Sequence, residues 1–495
     1  MPTPRLDRRH RHRHRISGTA AAAAVLLSLL AGAVPAATAA DRPAPAPAPK
    51  ASGHRPAALD RQRLDQDLDA VHAAGLYGAY AAVRDGADRW RGATGFADVD
   101  TRRPTRPDMR HRIGSVTKTF TAVAVLQQAG RGRIELDRPV GDYLPDLVPG
   151  ERGRAITVRM LLNQTSGIAD YLPMAFPSLL EGSPRSLDDN RHRHFPPTEL
   201  IGYAVGAPQV FEPGARWSYS NTNYVLLGEL LRATTGEDPE TVIARDVIHR
   251  AHLRDTYFPG AETTVRGPHA KLYESFFGAI DPPRDYSDYD MSWGGTAGAL
   301  VATMDDVNTF YRALLQGRLL RPEQLRQLLT TVPVKDAGGR VTMRYGLGIV
   351  RVDTRCGPFW GHDGAVFGGG TLALSSTDGG RQLALGANLS KYERLDASGN
   401  PLPNAIDAAR SAFIDEALCG GAPARPGARA TGPDAPRGPD EDKPRRVGPP
   451  GGGTPAGPGA GGRRVRPPAP GADPGSGGTP GAPSAGCGGS RAEWG

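Results

Sequence analysis

Lysine is nearly missing from this chain: there are six, against 54 arginines, in 495 residues. A guanidinium keeps its proton in any protein environment, so almost none of the chain's cations can serve as a base. Cysteine is rarer still, with three residues, no Cys-x-x-Cys and no Cys/His cluster at zinc spacing, so the sequence offers no zinc-finger-type structural metal site. No serine stands in G-x-S-x-G, so the nucleophile elbow of the α/β-hydrolases is absent. Past residue 40 no apolar run approaches the roughly 18 residues of a membrane span.

What is present at the ends speaks of export. Residues 1–40 carry six arginines, interleaved with histidines, before an apolar stretch over 18–34 and Ala37-Thr38-Ala39. This is the n-region, h-region and small-residue cleavage site of a signal peptide. Residues 41–59 form a Pro/Ala linker and residues 421–495 a Gly/Pro/Ala tail too poor in apolar side chains to bury a core. The two ends hold the positive charge, +5 over 1–40 and +4 over 421–495, which leaves −1 of the total +8 for 41–420. The high pI therefore gives no reason to expect nucleic acid. A basic tail suits weak contact with anionic wall polymers, and the expected location is extracellular, soluble or wall-associated.

One of the six lysines is Lys118, three residues after Ser115 in Ile113-Gly114-Ser115-Val116-Thr117-Lys118-Thr119-Phe120. An ammonium, unlike a guanidinium, can be desolvated into a free base. Apolar residues at helical spacing predict a helix over 115–126, stopped by Gly130 and Gly132, with Lys118 one turn from the serine on the same face. A serine hydroxyl is a poor nucleophile without an adjacent base. Two later motifs join it. Tyr219-Ser220-Asn221 follows a Pro-Gly turn and precedes an apolar helix over 224–231; His362-Asp363-Gly364 precedes a β-like run over 370–375.

Ser-x-x-Lys, Tyr-x-Asn and His-x-Gly, in that order, constitute the three-motif arrangement of penicillin-recognising serine hydrolases. The chain resembles a secreted serine-type D-alanyl-D-alanine carboxypeptidase of the group that includes class C β-lactamases and related esterases. The similarity runs over about 60–419 and takes in 157–168, where Leu161-Leu162-Asn163-Gln164-Thr165-Ser166-Gly167 departs from the family's usual histidine at Gln164, and Gly294-Gly295-Thr296-Ala297-Gly298. The resemblance implies that Ser115 attacks a carbonyl and carries the acyl group. It implies that Lys118 and Tyr219 share the proton, with Tyr219 the base toward the leaving amine and Lys118 keeping the phenol acidic. Asn221 would hold Lys118 and the substrate amide, His362 would complete the hydrogen bonds around Tyr219, and the N–H groups of Ser115 and Ala365 would form the oxyanion hole. No cofactor enters.

The implied partner is a wall peptide or a β-lactam-like small molecule, bound by a monomer. Carboxypeptidase, β-lactamase and small-ester or amide hydrolase share this residue set. A penicillin-binding sensor on the same fold would be acylated without turnover, and the intact set speaks against it. Where carboxypeptidase relatives carry hydroxyls that bind the substrate's terminal carboxylate, on either side of Gly364, this chain has Asp363 and Ala365. Two carboxylates about 4 Å apart oppose each other by about 4 kcal/mol at an effective dielectric near 20. Arg351 is the candidate partner that would neutralise Asp363.

The expected architecture of 60–420 is α+β and β-lactamase/transpeptidase-like: an antiparallel sheet from both chain ends, flanked by helices, plus a mostly helical lobe. A helix leads into strands over 78–83 and 89–96 around Asp85-Gly86; further strands are expected over 345–352, 370–375 and 382–389, then a helix over 405–418. Residues 173–194 read as a long surface loop. In an exported protein Cys356 and Cys419 are expected to be bonded, as relatives of this type are, which leaves Cys487 in the tail.

Overall fold

In Gly78–Asp85 successive side chains point to opposite faces, and both sets are apolar: Tyr80 and Ala82 join one core, while Ala79, Ala81 and Val83 join another. A strand buried on both faces has to be covered twice, which settles the layering. The computed structural model describes residues 59–420 apart from 337 and 398. The expected signal peptide over 1–40, the expected linker up to residue 58 and the tail with Cys487 lie outside the described residues.

In chain order the described residues run from α1 (Arg61–Ala73) through β1 (Gly78–Asp85), β2 (Asp88–Asp98) and β3 (Arg103–Pro104) to α2 (Thr117–Gly130). After α3 (Asn221–Thr235) and α4 (Met304–Leu315) come β4 (Val332–Lys335), β5 (Val341–Tyr345), β6 (Val350–Thr354), β7 (Gly357–Val366), β8 (Gly369–Ser376), β9 (Arg381–Ala387) and α5 (Ala405–Cys419). The nine-stranded sheet has the order β3-β2-β1-β9-β8-β7-β6-β5-β4. Its centre is the antiparallel pairing of β1 with β9, Ala82 opposite Ala384, so the two chain ends close on each other. On one face α1, through Leu64, Leu68 and Val71, and α5, through Phe413 and Leu418, cover Leu372, Leu374, Leu383 and Leu385. The other face carries the mostly helical lobe, with Phe120 of α2 stacked on Phe310 of α4. This is the α+β arrangement expected.

Three local expectations are corrected. Residues 345–352 form not one strand but the ends of β5 and β6 around a tight turn, in which Gly346 N–H donates to the Ile349 carbonyl and Gly348 has φ +78°. Residues 361–365 do not merely precede the strand over 370–375; they belong to β7, paired with β8 throughout but with β6 only as far as Gly361, so His362-Asp363-Gly364 lies on a free strand edge. Glycine masked that strand, yet a Cβ on Gly361 would lie 1.8 Å from the Ala373 carbonyl oxygen, so only glycine lets β8 pair there. Residues 173–194 are not a bare loop: short helical turns at Leu172–Ala175, Pro177–Glu181 and Arg185–Asn190 are anchored by buried Phe176 and Leu187.

Cys356 in the β6–β7 turn is bonded to Cys419, the last residue of α5, across 63 positions of sequence. A cross-link over a loop of that size stabilises by typically 2–4 kcal/mol. Replacing both cysteines by alanine is expected to lower the melting temperature by several degrees in differential scanning calorimetry while leaving catalysis at 25 °C near the parent's; an unchanged melting temperature would remove the bond's stabilising role.

Candidate active site

Ser115 occupies a single 3-10 turn, Gly114–Val116, that runs directly into α2. The first turn of α2 then puts Lys118 under the serine, fully buried. Its Nζ lies 2.9 Å from Ser115 Oγ, 2.7 Å from Asn221 Oδ1 and 2.8 Å from the Ala297 carbonyl oxygen. Burial drives the amine's pKa down to about 7, against the opposing pull of Asp170 and Asp363. At that value it exists in both protonation states near neutral pH. A neutral amine has two N–H bonds and one lone pair. Asn221 Oδ1 and the Ala297 carbonyl only accept, so they take the two N–H bonds, and the lone pair is left facing Ser115 Oγ.

Tyr219 donates its O–H to the same Ser115 Oγ at 2.6 Å, and Lys118 Nζ lies 4.8 Å from the centre of its ring. Burial, then the neighbouring Tyr345, pushes the phenol well above its ordinary pKa. With its pKa raised, the phenol is a proton donor at rest.

The tyrosine and asparagine are brought to the serine by a clasp between 164–172 and the chain entering α3. Gln164 Oε1 accepts from Ser220 N–H and from Asn223 Nδ2 at 3.1 and 2.6 Å, Ser166 Oγ donates to Asn223 Oδ1, and Thr222 Oγ1 donates to the Ala169 carbonyl. The residue standing in place of the family's histidine is thus a structural clamp.

His362 does not reach Tyr219. Its Nδ1 is 2.6 Å from the Asp363 carbonyl, which can only accept, so that nitrogen carries the proton and Nε2 accepts from the Tyr345 hydroxyl at 3.0 Å. Pairing of β6 with β7 ends at Val350 opposite Gly361, so 362–366 meet the serine turn instead of a strand. A Cβ on Gly364 would fall 2.0 Å from the Ile113 carbonyl oxygen, and one on Gly114 2.7 Å from that of Ala365. Two glycines allow the approach that puts Ser115 and Ala365 on the same cleft wall.

The cleft is walled by Tyr171, Leu172, Trp217, Trp293, Val366 and Phe367, with Asp363 and Lys391 also in its lining. Arg351 is not there. It bonds Asp353 at 2.9 Å and lies over the Trp360 ring, so it neither neutralises Asp363 nor lines the cleft. Alternation along β6 turns Val350 toward the site and Arg351 away from it. Sequence reading missed Asp170, Tyr345, Trp293 and the Ala297 carbonyl; Ala297 lay within a motif already singled out, and Asp170 is two residues past another.

The family model described as Beta-lactamase matches residues 39–405. The chain belongs to this family. Among solved structures, the D-stereospecific amidohydrolase from Streptomyces sp. is 36% identical, with a TM-score of 0.64 over 73% of this chain and 99% of that one. Esterase EstB of Burkholderia gladioli is 35% identical over 205 residues, 40% of this chain and 52% of that protein; the D-aminopeptidase of Cereibacter sphaeroides is 29% identical over 277 residues, 52% and 49%. The chain spans about half the length of these last two relatives. The relatives in this beta-lactamase group are esterases, amidohydrolases and aminopeptidases, and the β-lactamase/transpeptidase-like fold expected from the three motifs is the fold found.

Because the Gly364 contact is backbone against backbone, Gly364→Ala is expected to force β7 off the serine turn and reduce kcat/KM on the order of 100-fold or more, since a misplacement of about 1 Å carries that cost. Steady-state kinetics of the folded variant check this, and parent-like turnover would show that the approach has slack.

Proposed function

We propose that this protein is an exported serine hydrolase that works through an acyl-enzyme on Ser115 and cleaves uncharged amide or ester bonds of amino-acyl or peptidyl substrates with a bulky apolar group. The observation that carries the reading is the Lys118 amine, desolvated and given two acceptor-only partners, with its lone pair toward Ser115 Oγ. In the forward step the Ser115 oxygen bonds the carbonyl carbon, its proton passes to Lys118 Nζ, and the carbonyl oxygen becomes an oxyanion between the N–H groups of Ser115 and Ala365. Tyr219, protonated at rest, gives its proton to the departing nitrogen or oxygen and recovers one from Lys118. Water repeats the sequence to release the acid. His362 acts through Tyr345 on the wall of the site.

Substrate class is supported by the aromatic cleft and by Asp363, whose neighbours among the described residues include no lysine or arginine ion pair. A carboxylate in the cleft lining with no lysine or arginine ion pair disfavours a free C-terminal carboxylate. Similarity to the D-stereospecific amidohydrolase over nearly its whole length supports a D-configured substrate. The second reading, a D-Ala-D-Ala carboxypeptidase on wall peptides, is favoured by Lys391, a cation in the cleft lining that could meet such a carboxylate. A β-lactam would enter by the same acylation. Export is supported by the Cys356–Cys419 bond, which belongs to an oxidising compartment.

Intact-mass spectrometry after a fluorophosphonate is expected to show one adduct, lost in Ser115→Ala; labelling that survives the substitution sinks the nucleophile. The free-base form of Lys118 grows as pH rises through about 7, so kcat/KM is expected to climb across that range. Lys118→Arg, which keeps the charge and forbids the base, is expected to abolish turnover, and measurable parent-like rates would refute the role. An amide-capped D-peptide is expected to be cleaved with higher kcat/KM than its free acid; the opposite order would favour the carboxypeptidase reading.

A further inference from the structure

Asp170 is used by nothing described so far. It lies within the clasp segment, accepts from Leu172 N–H at 3.3 Å through Oδ1, from Asn221 Nδ2 at 3.0 Å through Oδ2 and from the Asn221 backbone N–H, and makes no ion pair with an arginine or lysine among the described residues, in a chain of 54 arginines. The carboxylate is held by two backbone N–H groups and one side-chain amide, with no direct cation. Its position explains it. A carboxylate oxygen only accepts, so whichever end of the Asn221 amide faces Asp170 must be the NH₂ end. That leaves Oδ1 toward Lys118 Nζ at 2.7 Å.

We propose that Asp170 is a positioning residue that locks the Asn221 amide, and through it aims the Lys118 lone pair at Ser115, while serving as the counter-charge of the protonated amine. This rests on Ser115 and Lys118 acting as nucleophile and base. With the amide turned over, Nδ2 would face Lys118 as a donor and compete with Ser115 for the lone pair, and the serine would lose its base. The chain Asp170–Asn221–Lys118–Ser115 thus does for a lysine base what a buried aspartate does for the imidazole of a Ser-His-Asp triad: it fixes which atom of the intermediate group faces the nucleophile. The groups facing Lys118 are Asp170 from the clasp, Asp363 from β7, and the Tyr219 and Tyr224 rings from the chain entering α3. Of the two carboxylates, only Asp170 has a bonded path to the amine.

Two substitutions separate its two effects. Asp170→Asn can still accept from Asn221 but has no charge, so the acid limb of the kcat/KM profile is expected to move to lower pH, because an amine without its counter-ion gives up its proton more readily. Asp170→Ala removes the lock, and kcat is expected to fall on the order of tenfold or more even on the alkaline plateau, with Asp170→Glu recovering part of it. Thermal melts of each variant report folding, and if Asp170→Ala does not fold, the limb of Asp170→Asn decides. An acid limb in Asp170→Asn that overlays the parent's, or an alanine variant with parent-like plateau kcat, overturns the proposal. Fluorophosphonate labelling of parent and Ser115→Ala is run beside them: a label that stays in Ser115→Ala overturns the underlying reading instead, whatever the limbs do.

Discussion

An ammonium taken out of water loses hydration worth several kcal/mol, and unless that loss is matched by a direct counter-ion the group is driven toward its neutral form. Lys118 is held in that condition. It is fully buried, its hydrogen-bond partners are all uncharged oxygens, and the two carboxylates that pull the other way act from beyond direct contact. Much of the fold serves this one desolvation. α2 is buried along most of its length, so the lysine in its first turn cannot reach solvent, and the β5–β6 turn packs so close that a Cβ added to Gly348 would lie 3.1 Å from the Lys118 carbonyl oxygen.

Around that amine the site is assembled from four separate stretches of chain, each held by contacts that have little to do with chemistry. The clasp between 164–172 and the start of α3 is a net of neutral hydrogen bonds. The serine turn meets β7 because two facing positions are glycine and because β6 stops pairing one residue before His362. Precision here comes from backbone approach and amide geometry, which tolerate less slack than long charged side chains do. The surface ion pairs, mostly between exposed arginines and carboxylates, contribute little to it.

The cleft combines apolar walls with two ionisable side chains of opposite sign in its lining, Asp363 and Lys391, the latter bonded to Glu274. Lys391 adopts φ +50° and keeps its ammonium 2.7 Å from a fully buried carboxylate and over the Phe276 and Phe367 rings.

The three motifs were legible because acyl transfer demands particular side chains in a fixed order, and Ser115, Lys118, Tyr219 and Asn221 converge as their spacing implied. The hairpin around Asp85-Gly86 and the last helix were legible too, from alternation and helical periodicity. What the chain could not declare by itself was anything set by contacts across it. β7 was hidden because Gly361 and Gly364 suppress the alternation that marks a strand, and they are glycine for the sake of neighbours far off in sequence. Arg351 was paired with Asp363 on proximity alone, whereas the pleat turns it to the other face. Asp170 is invisible in the sequence because a lone aspartate carries no pattern until Asn221 is folded against it. Local chemistry and periodicity are properties of neighbouring residues; burial, register and the facing of an amide are properties of the packed whole.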